Sequence, residues 1–216
     1  IIYVKSKNKL DGLAQSNHDK KRKCSMLDKT IKYYDVLMKR EQGSSFAEFM
    51  LPEGYRFVLF QQGDEKEWAE IETSVGEFDR EVDALVYFQR KYMSYKGELE
   101  RRCIFIENRE RKKIATLTIW WSYTGVRRDP WLHWVAVKPE YQGLGLGKAL
   151  LYEGLRKLLE IEGDRDVYLH TQTWSYKAIN IYRKVGFKIT GEKGLAGYEN
   201  SDIDKALALL KDYLRE

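Results

Sequence analysis

Proline is scarce in this chain, at 3 of 216 residues, and cysteine is scarcer, at 2. With so little proline, no stiff Pro-rich linker divides the sequence. Cys24 and Cys103 are too few and too far apart for a disulfide framework or a cysteine zinc site, which favours a reducing compartment. No His/Cys/carboxylate spacing points to a metal, so none is expected. No apolar run approaches membrane-spanning length, and the opening Ile1-Ile2-Tyr3-Val4-Lys5 lacks the hydrophobic stretch of a signal peptide. These absences lead to the expectation of a cytoplasmic protein without membrane contact. The first residue is Ile rather than Met, so a trimmed start is expected. Repeats and low-complexity tracts are also missing.

What is present describes a folded globule: 43% of residues are hydrophobic and 13% aromatic. The length suits one domain with a substantial core. The net charge of +5 is mild and fits a polyanionic ligand, although it is also compatible with nucleic-acid contact. The basic run Asp19-Lys20-Lys21-Arg22-Lys23 is more often a solvated face or an arm than a nucleic-acid contact, so nucleic acid is disfavoured as a partner. Residues 1–50 are expected to form an N-terminal extension, a partly ordered arm, and residues 51–216 the folded domain. Within the extension, 31–39 fits a strand or a short helix equally.

The most informative stretch is 130–159, PWLHWVAVKPEYQGLGLGKALLYEGLRKLL. Aromatic and β-branched residues over 131–137 predict a strand. Ala149, Leu150, Leu155, Leu158 and Leu159 fall on one helical face, with Lys148, Glu153, Arg156, Lys157 and Glu160 on the other. Gln142, Gly143, Leu144, Gly145, Leu146 and Gly147 lie between. A glycine loop entering a helix lets unpaired amides and the positive dipole end meet a phosphate. The spacing rules out two familiar cradles. A P-loop needs glycine where Gln142 stands and a hydroxyl residue where Ala149 stands. A dinucleotide fingerprint would put its third glycine at Lys148.

Around this stretch the pattern predicts a strand over 55–60, then a helix capped by Asp64 and Glu67 that carries Trp68, Ile71 and Val75. A second helix follows over about 79–92, with Val82, Leu85, Val86 and Phe88 or Gln89 near its buried face. Strands over 103–107 and 114–121 form a hairpin. After the long helix come a strand over 166–171, a helix capped by Ser175, an extended run over 187–190, and a final helix behind a Ser201/Asp204 capping box.

The spacing Gln142-x-x-Gly145-x-Gly147 after a strand closely resembles the acyl-coenzyme A motif of the GNAT (GCN5-related) N-acetyltransferases. The run SYKAINIYRKVGF, residues 175–187, resembles their second signature, matching it at Ala178, Ile181, Tyr182, Gly186 and Phe187. Ser175 stands where the family often has Asn, which puts a side-chain amide contact to coenzyme A in doubt. The resemblance covers roughly 55–191 and implies an α/β fold. In it a mixed, mostly antiparallel sheet splays between its fourth and fifth strands (counted from the one at 55–60), flanked by helices, with the N-terminal extension and a C-terminal helix outside.

The resemblance further implies acetyl transfer from acetyl-CoA to a primary amine in a ternary complex. The attacking amine, with a pKa of about 10.4 for a lysine-type group, must lose its proton, and the thioester oxyanion needs N–H donors. Backbone groups of Val135, Ala136 and Val137 would hold the acetyl and pantetheine portions. Amides of Gln142, Gly143, Leu144, Gly145, Leu146, Gly147 and Lys148, with Ser175 and Ala178, would hold the rest of the cofactor. Tyr182 matches the family's acid toward the leaving sulfur, against a plainer role as a packed helix residue. His133 matches the catalytic strand histidine of the arylalkylamine N-acetyltransferases, and a packed or surface role fits it equally.

Glu70, Glu72 and Glu77 offer acidity that the sequence does not rank. Trp120, Trp121, Tyr123, Trp131 and Trp134 either line a pocket or pack a core. The acceptor is a small-molecule or peptide amine, and a homodimer is compatible with the reading. The rivals are a non-catalytic acyl-CoA sensor on the same fold and a nucleic-acid module using the basic arm.

Overall fold

The structure, a computed structural model, describes residues 27–214; the basic run at 19–23 and Cys24 lie outside them. In chain order the elements are β1 (Asp35–Arg40), β2 (Arg56–Leu59), α1 (Glu65–Ser74), α2 (Glu81–Tyr92), α3 (Lys96–Arg102), β3 (Cys103–Glu107), β4 (Lys113–Thr124), β5 (Arg127–Val137), α4 (Leu146–Glu162), β6 (Val167–Gln172), α5 (Tyr176–Lys184), β7 (Lys188–Ile189) and α6 (Ile203–Leu210). One-turn 3₁₀ segments stand at Met93–Tyr95, Pro139–Tyr141 and Thr173–Ser175. No helix among the described residues is long and apolar enough to cross a membrane.

Among the described residues seven strands form one sheet in the order β2-β3-β4-β5-β6-β1-β7. Every pairing is antiparallel except β5 with β6, which is parallel and holds at only two rungs, Trp131 with Tyr168 and Leu132 with Leu169. Beyond Leu132, β5 leaves β6. This is the expected splay, falling between β5 and β6 in the present numbering.

Both faces of the central strands are covered, so β4 reads as a nearly unbroken apolar run rather than an alternation. Its Ala115, Leu117 and Ile119 join one core with Leu150, Leu155 and Leu158 of α4. On the opposite face Trp120 joins a second core with Trp68 of α1 and Phe88 and Tyr92 of α2. Helix α4 lies so close to β4 that a Cβ at Gly154 would come within 2.8 Å of the Leu117 side chain. Its carboxyl end is tied down by Glu162, 5% exposed, which meets Arg102 and Arg128 at 2.7 Å each.

The expected boundary at residue 50 does not hold. The undecided run at 31–39 contributes β1, which sits inside the sheet between β6 and β7, with Val36, Leu37 and Met38 fully or almost fully buried. The reason is tertiary: three consecutive apolar residues suit a strand covered on both faces, and local pattern cannot reveal that cover. From β1 the chain crosses to β2 through a segment whose Phe46 and Phe49 pack on α4.

The expected caps also differ. Asp64 makes no cap bond; its carboxylate accepts the Gln61 amide and meets Lys113 at 2.9 Å. Neither Ser175 nor the start of α6 shows a side-chain cap bond. On α2 the buried residues are Ala84, Phe88 and Tyr92, leaving Val82 and Val86 exposed, because the larger aromatic surfaces take the face toward α1.

If β1 is integral to the sheet, Met38→Ala will lower the unfolding free energy by about 2–5 kcal/mol. A urea denaturation series checks this, and a midpoint equal to the parent's would mean that β1 is dispensable.

Candidate functional site

Where β5 parts from β6, its backbone changes course. The pairing with β4 slips between Thr116, opposite Ala136, and Thr118, opposite His133. Trp134 lies at the slip with φ +53°, a conformation seldom adopted by a bulky residue. The strain is held by packing, since the Trp134 ring meets Phe78, Tyr87 and Trp68 at centroid distances of 5.2, 5.0 and 5.6 Å. Val135 and Val137 are half-buried along the separated part of the strand, and Ala136 faces the second core.

The chain then makes the Pro139–Tyr141 turn and enters the glycine loop. Gly143 and Gly145 both have φ +84°, which disfavours any residue with a Cβ, and both open onto unfilled space. Gly145 caps α4, and the amides of Lys148 and Ala149 turn back to its carbonyl. The amides from Gly143 to Gly147 precede that first helical bond, so they are available to an anion. Gln142 braces the loop by donating its side-chain amide to the Val137 carbonyl at 2.8 Å. Lys138, almost wholly buried, reaches Glu70 of α1 at 2.6 Å and ties the loop's approach to the other face. A loop of this shape, with open Cβ-free positions at Gly143 and Gly145 beside a splayed strand, leaves room for a phosphate-bearing ligand. Ser175 and Ala178 lie at the start of α5, which packs on α4.

Tyr182 of α5 is 7% exposed and rests against Phe187. Burial, with the Glu77 carboxylate adding to it, raises its phenol above the ordinary range, so it keeps its proton. Glu72 is itself 1% exposed, and its Oε1 finds no hydrogen-bond partner among the described residues. Burial and then Glu77 push that carboxyl well above the usual range. Glu70 is occupied by Lys138, and Glu77 accepts from Gln172 at 3.3 Å. Cys103 is fully buried on β3, and burial lifts its thiol to about 12, which removes it as a nucleophile. No group of three His, Cys, Asp or Glu among the described residues could hold a metal.

His133 does stand at the splay, but it faces α2, where a 3.0 Å hydrogen bond joins its Nδ1 to the Tyr92 hydroxyl. Burial, helped by Lys91 and His170, lowers its pKa to about 3. An imidazole so reluctant to be charged is a poor base for an ammonium group.

The residue that sequence reasoning passed over is His170. It follows Leu169, the last residue of β6 paired with β5, so it lies on the lip of the splay. Its Nε2 meets Asp35 Oδ1 at 2.8 Å, and its ring stacks on Tyr198 at 4.4 Å. The available signal was its rarity: the chain has 3 histidines, and only His133 and His170 fall in expected strands. The aromatic set divides. Trp120 and Trp121 stack on each other beside Arg128, Tyr123 points outward, and Trp131 packs with Tyr168 and Tyr198.

Residues 58–187 match the Acetyltransferase (GNAT) family. The chain belongs to that family. Among curated relatives it is 36% identical over 74 residues to the N-alpha-acetyltransferase of Sulfurisphaera tokodaii, covering 32% of this chain and 44% of that one. It is also 45% identical over 53 residues to a mycothiol acetyltransferase of an Arthrobacter species, covering 24% of this chain and 16% of that one. A GCN5-related N-acetyltransferase structure from Sphaerobacter thermophilus shares the fold, with a TM-score of 0.58 and 19% identity over 72% of this GNAT chain and 48% of that one. The matched parts thus span less than half the length of these relatives. Of the residues assembled above, Asp35 and Tyr198 fall outside the family match.

The depressed His133 has a measurable consequence. An unfolded imidazole takes up its proton near 6.5, whereas the folded one does so at about 3. Between those values the unfolded chain holds the extra proton, so stability is complete above about 6.5 and is lost as pH falls toward 3. His133→Gln should flatten this acid limb of stability by about one proton in linkage slope. An unchanged slope between about pH 4 and 6 would show that His133 titrates normally.

Proposed function

We propose that this protein is an N-acetyltransferase that moves acetyl from acetyl-CoA to a primary amine by direct attack in a ternary complex. One observation carries the reading: the two-rung parallel pairing of β5 with β6 opens beside a bare glycine loop, with a protonated, buried tyrosine on the neighbouring helix. Acetyl-CoA would supply an activated thioester carbonyl. Gln142, Gly143, Leu144, Gly145, Leu146, Gly147 and Lys148 would hold its pyrophosphate, with Ser175 and Ala178 beside it. Val135, Ala136 and Val137 would line its pantetheine arm along the separated strand.

The remaining steps fall to side chains. Tyr182 keeps its proton at neutral pH and is the candidate donor to the departing sulfur. His170, partnered by a carboxylate on the lip of the splay, is a better candidate than His133 to take the proton of the incoming amine. A peptide α-amine is the acceptor favoured by the N-alpha-acetyltransferase relative, and a small-molecule amine the one favoured by the mycothiol acetyltransferase relative. Burial of Cys103 supports direct attack over a covalent acyl-enzyme.

A thiol-release assay with acetyl-CoA, run against peptides with free N-termini and against amino-sugar and alkyl amines, separates the acceptor classes. Tyr182→Phe should lower kcat about a hundred-fold while leaving coenzyme A affinity near its starting value. Undiminished kcat would remove Tyr182 as the acid, and failure to bind acetyl-CoA would overturn the assignment.

A further inference from the structure

Strand β1 brings a carboxylate to the site from outside the region that the family match covers. In the β1–β6 register Leu37 lies opposite His170, and Asp35 lies opposite Gln172. Asp35 is therefore the diagonal neighbour of His170 on the same sheet face, the relation that lets short polar side chains meet across antiparallel strands. The contact is made: His170 Nε2 and Asp35 Oδ1 are 2.8 Å apart. The same carboxylate oxygen also accepts the Tyr33 hydroxyl at 2.9 Å. Above them Tyr198, carried by the β7–α6 connection, stacks on the imidazole with only 17° between the planes. The ring is thus held by an edge contact from β1 and a face contact from the far side.

From this geometry we infer that Asp35 is a positioning residue for His170, so that the N-terminal strand completes the proton-accepting apparatus of the site. The inference rests on the reading of His170 as the base. An ionised carboxylate can only accept hydrogen bonds, so the shared proton must sit on Nε2. That leaves the lone pair on Nδ1 and makes Nδ1 the atom that takes the amine's proton. The hydrogen bond from His170 holds Asp35 below the usual carboxylate range, so it stays ionised as pH falls. Other charged or titratable groups facing the pair are His133 from β5, Tyr33 before β1, Tyr198 above, and Glu77 from the α1–α2 connection. Lys39, on the same face of β1, is engaged with Asp166 and Glu192.

Two readouts test the role on the full chain. Long-range ¹H–¹⁵N correlation on histidine-labelled protein reports the tautomer of His170 without any need for turnover. The expected result is a single Nε2–H form in the parent and a mixed or inverted form in Asp35→Asn. In the thiol-release assay, Asp35→Asn should lower kcat about ten-fold and move the acid limb of kcat/KM down by about half a pH unit, because a lost anion makes the imidazolium harder to form. Asp35→Glu, which keeps the charge, should restore the limb. If Asp35→Asn leaves tautomer and pH profile as in the parent while His170→Gln abolishes turnover, Asp35 has no positioning role and the reading of His170 as the base still stands. Full kcat in His170→Gln removes that reading and the inference with it. An Nδ1–H tautomer in the parent overturns the inference whether or not turnover is found.

Discussion

Everything distinctive about this sheet follows from two strands that stop pairing. Parallel neighbours would normally continue their ladder, yet β5 and β6 share only the rungs at Trp131 and Leu132. Past that point the backbone groups of β5 on the β6 side have no strand among the described residues to satisfy them, and buried backbone polar groups left without partners are costly. A ligand with amides and carbonyls along its length is a natural partner for such an edge. The separation has to be imposed, and the slip against β4 with the positive φ of Trp134 imposes it. The aromatic packing of Trp134 among Trp68, Phe78 and Tyr87 keeps it in place.

The surrounding chemistry depends on the same opening. The glycine loop follows β5 after the Pro139–Tyr141 turn and leads into α4, whose N-cap is Gly145. His170 stands on its lip, and Tyr182 of α5 packs in the core that α5 shares with α4. Two buried electrostatic features hold the frame around it. Glu162 collects Arg102 and Arg128 at the foot of α4, an arrangement whose desolvation cost is met by close, multiple contacts. Glu72 has no such ion pair among the described residues, and burial together with Glu77 pushes its carboxyl well above the usual range.

The glycine loop and the family it points to were legible because the motif is written in contiguous residues. Gln142, Gly143, Gly145 and Gly147 lie in one short run, and the positive φ of Gly143 and Gly145 favours glycine at those two positions. The helix bearing Tyr182 carried its own signature for the same reason. The cluster around His170 was not legible. Asp35, His170 and Tyr198 are separated by 135 and 28 positions of chain, and what joins them is the register of β1 on β6 and the return of the β7–α6 connection. The surroundings of His133 were hidden for a related reason: a strand residue's neighbours are set by which face it takes, and a one-residue slip at the bulge decides that.

The sequence by itself therefore determined the family, the cofactor-shaped loop, the long helix behind it and the order of the central elements, since each is a local pattern of period or spacing. Tertiary structure alone decided that β1 belongs inside the sheet, that Asp64 spends its carboxylate on Gln61 and Lys113 rather than on a cap, and that His170 rather than His133 gains a carboxylate partner. The physical reason is the same in each case. Strand pairing and burial are long-range outcomes, and a residue's partner across the sheet leaves no mark on its neighbours in the chain.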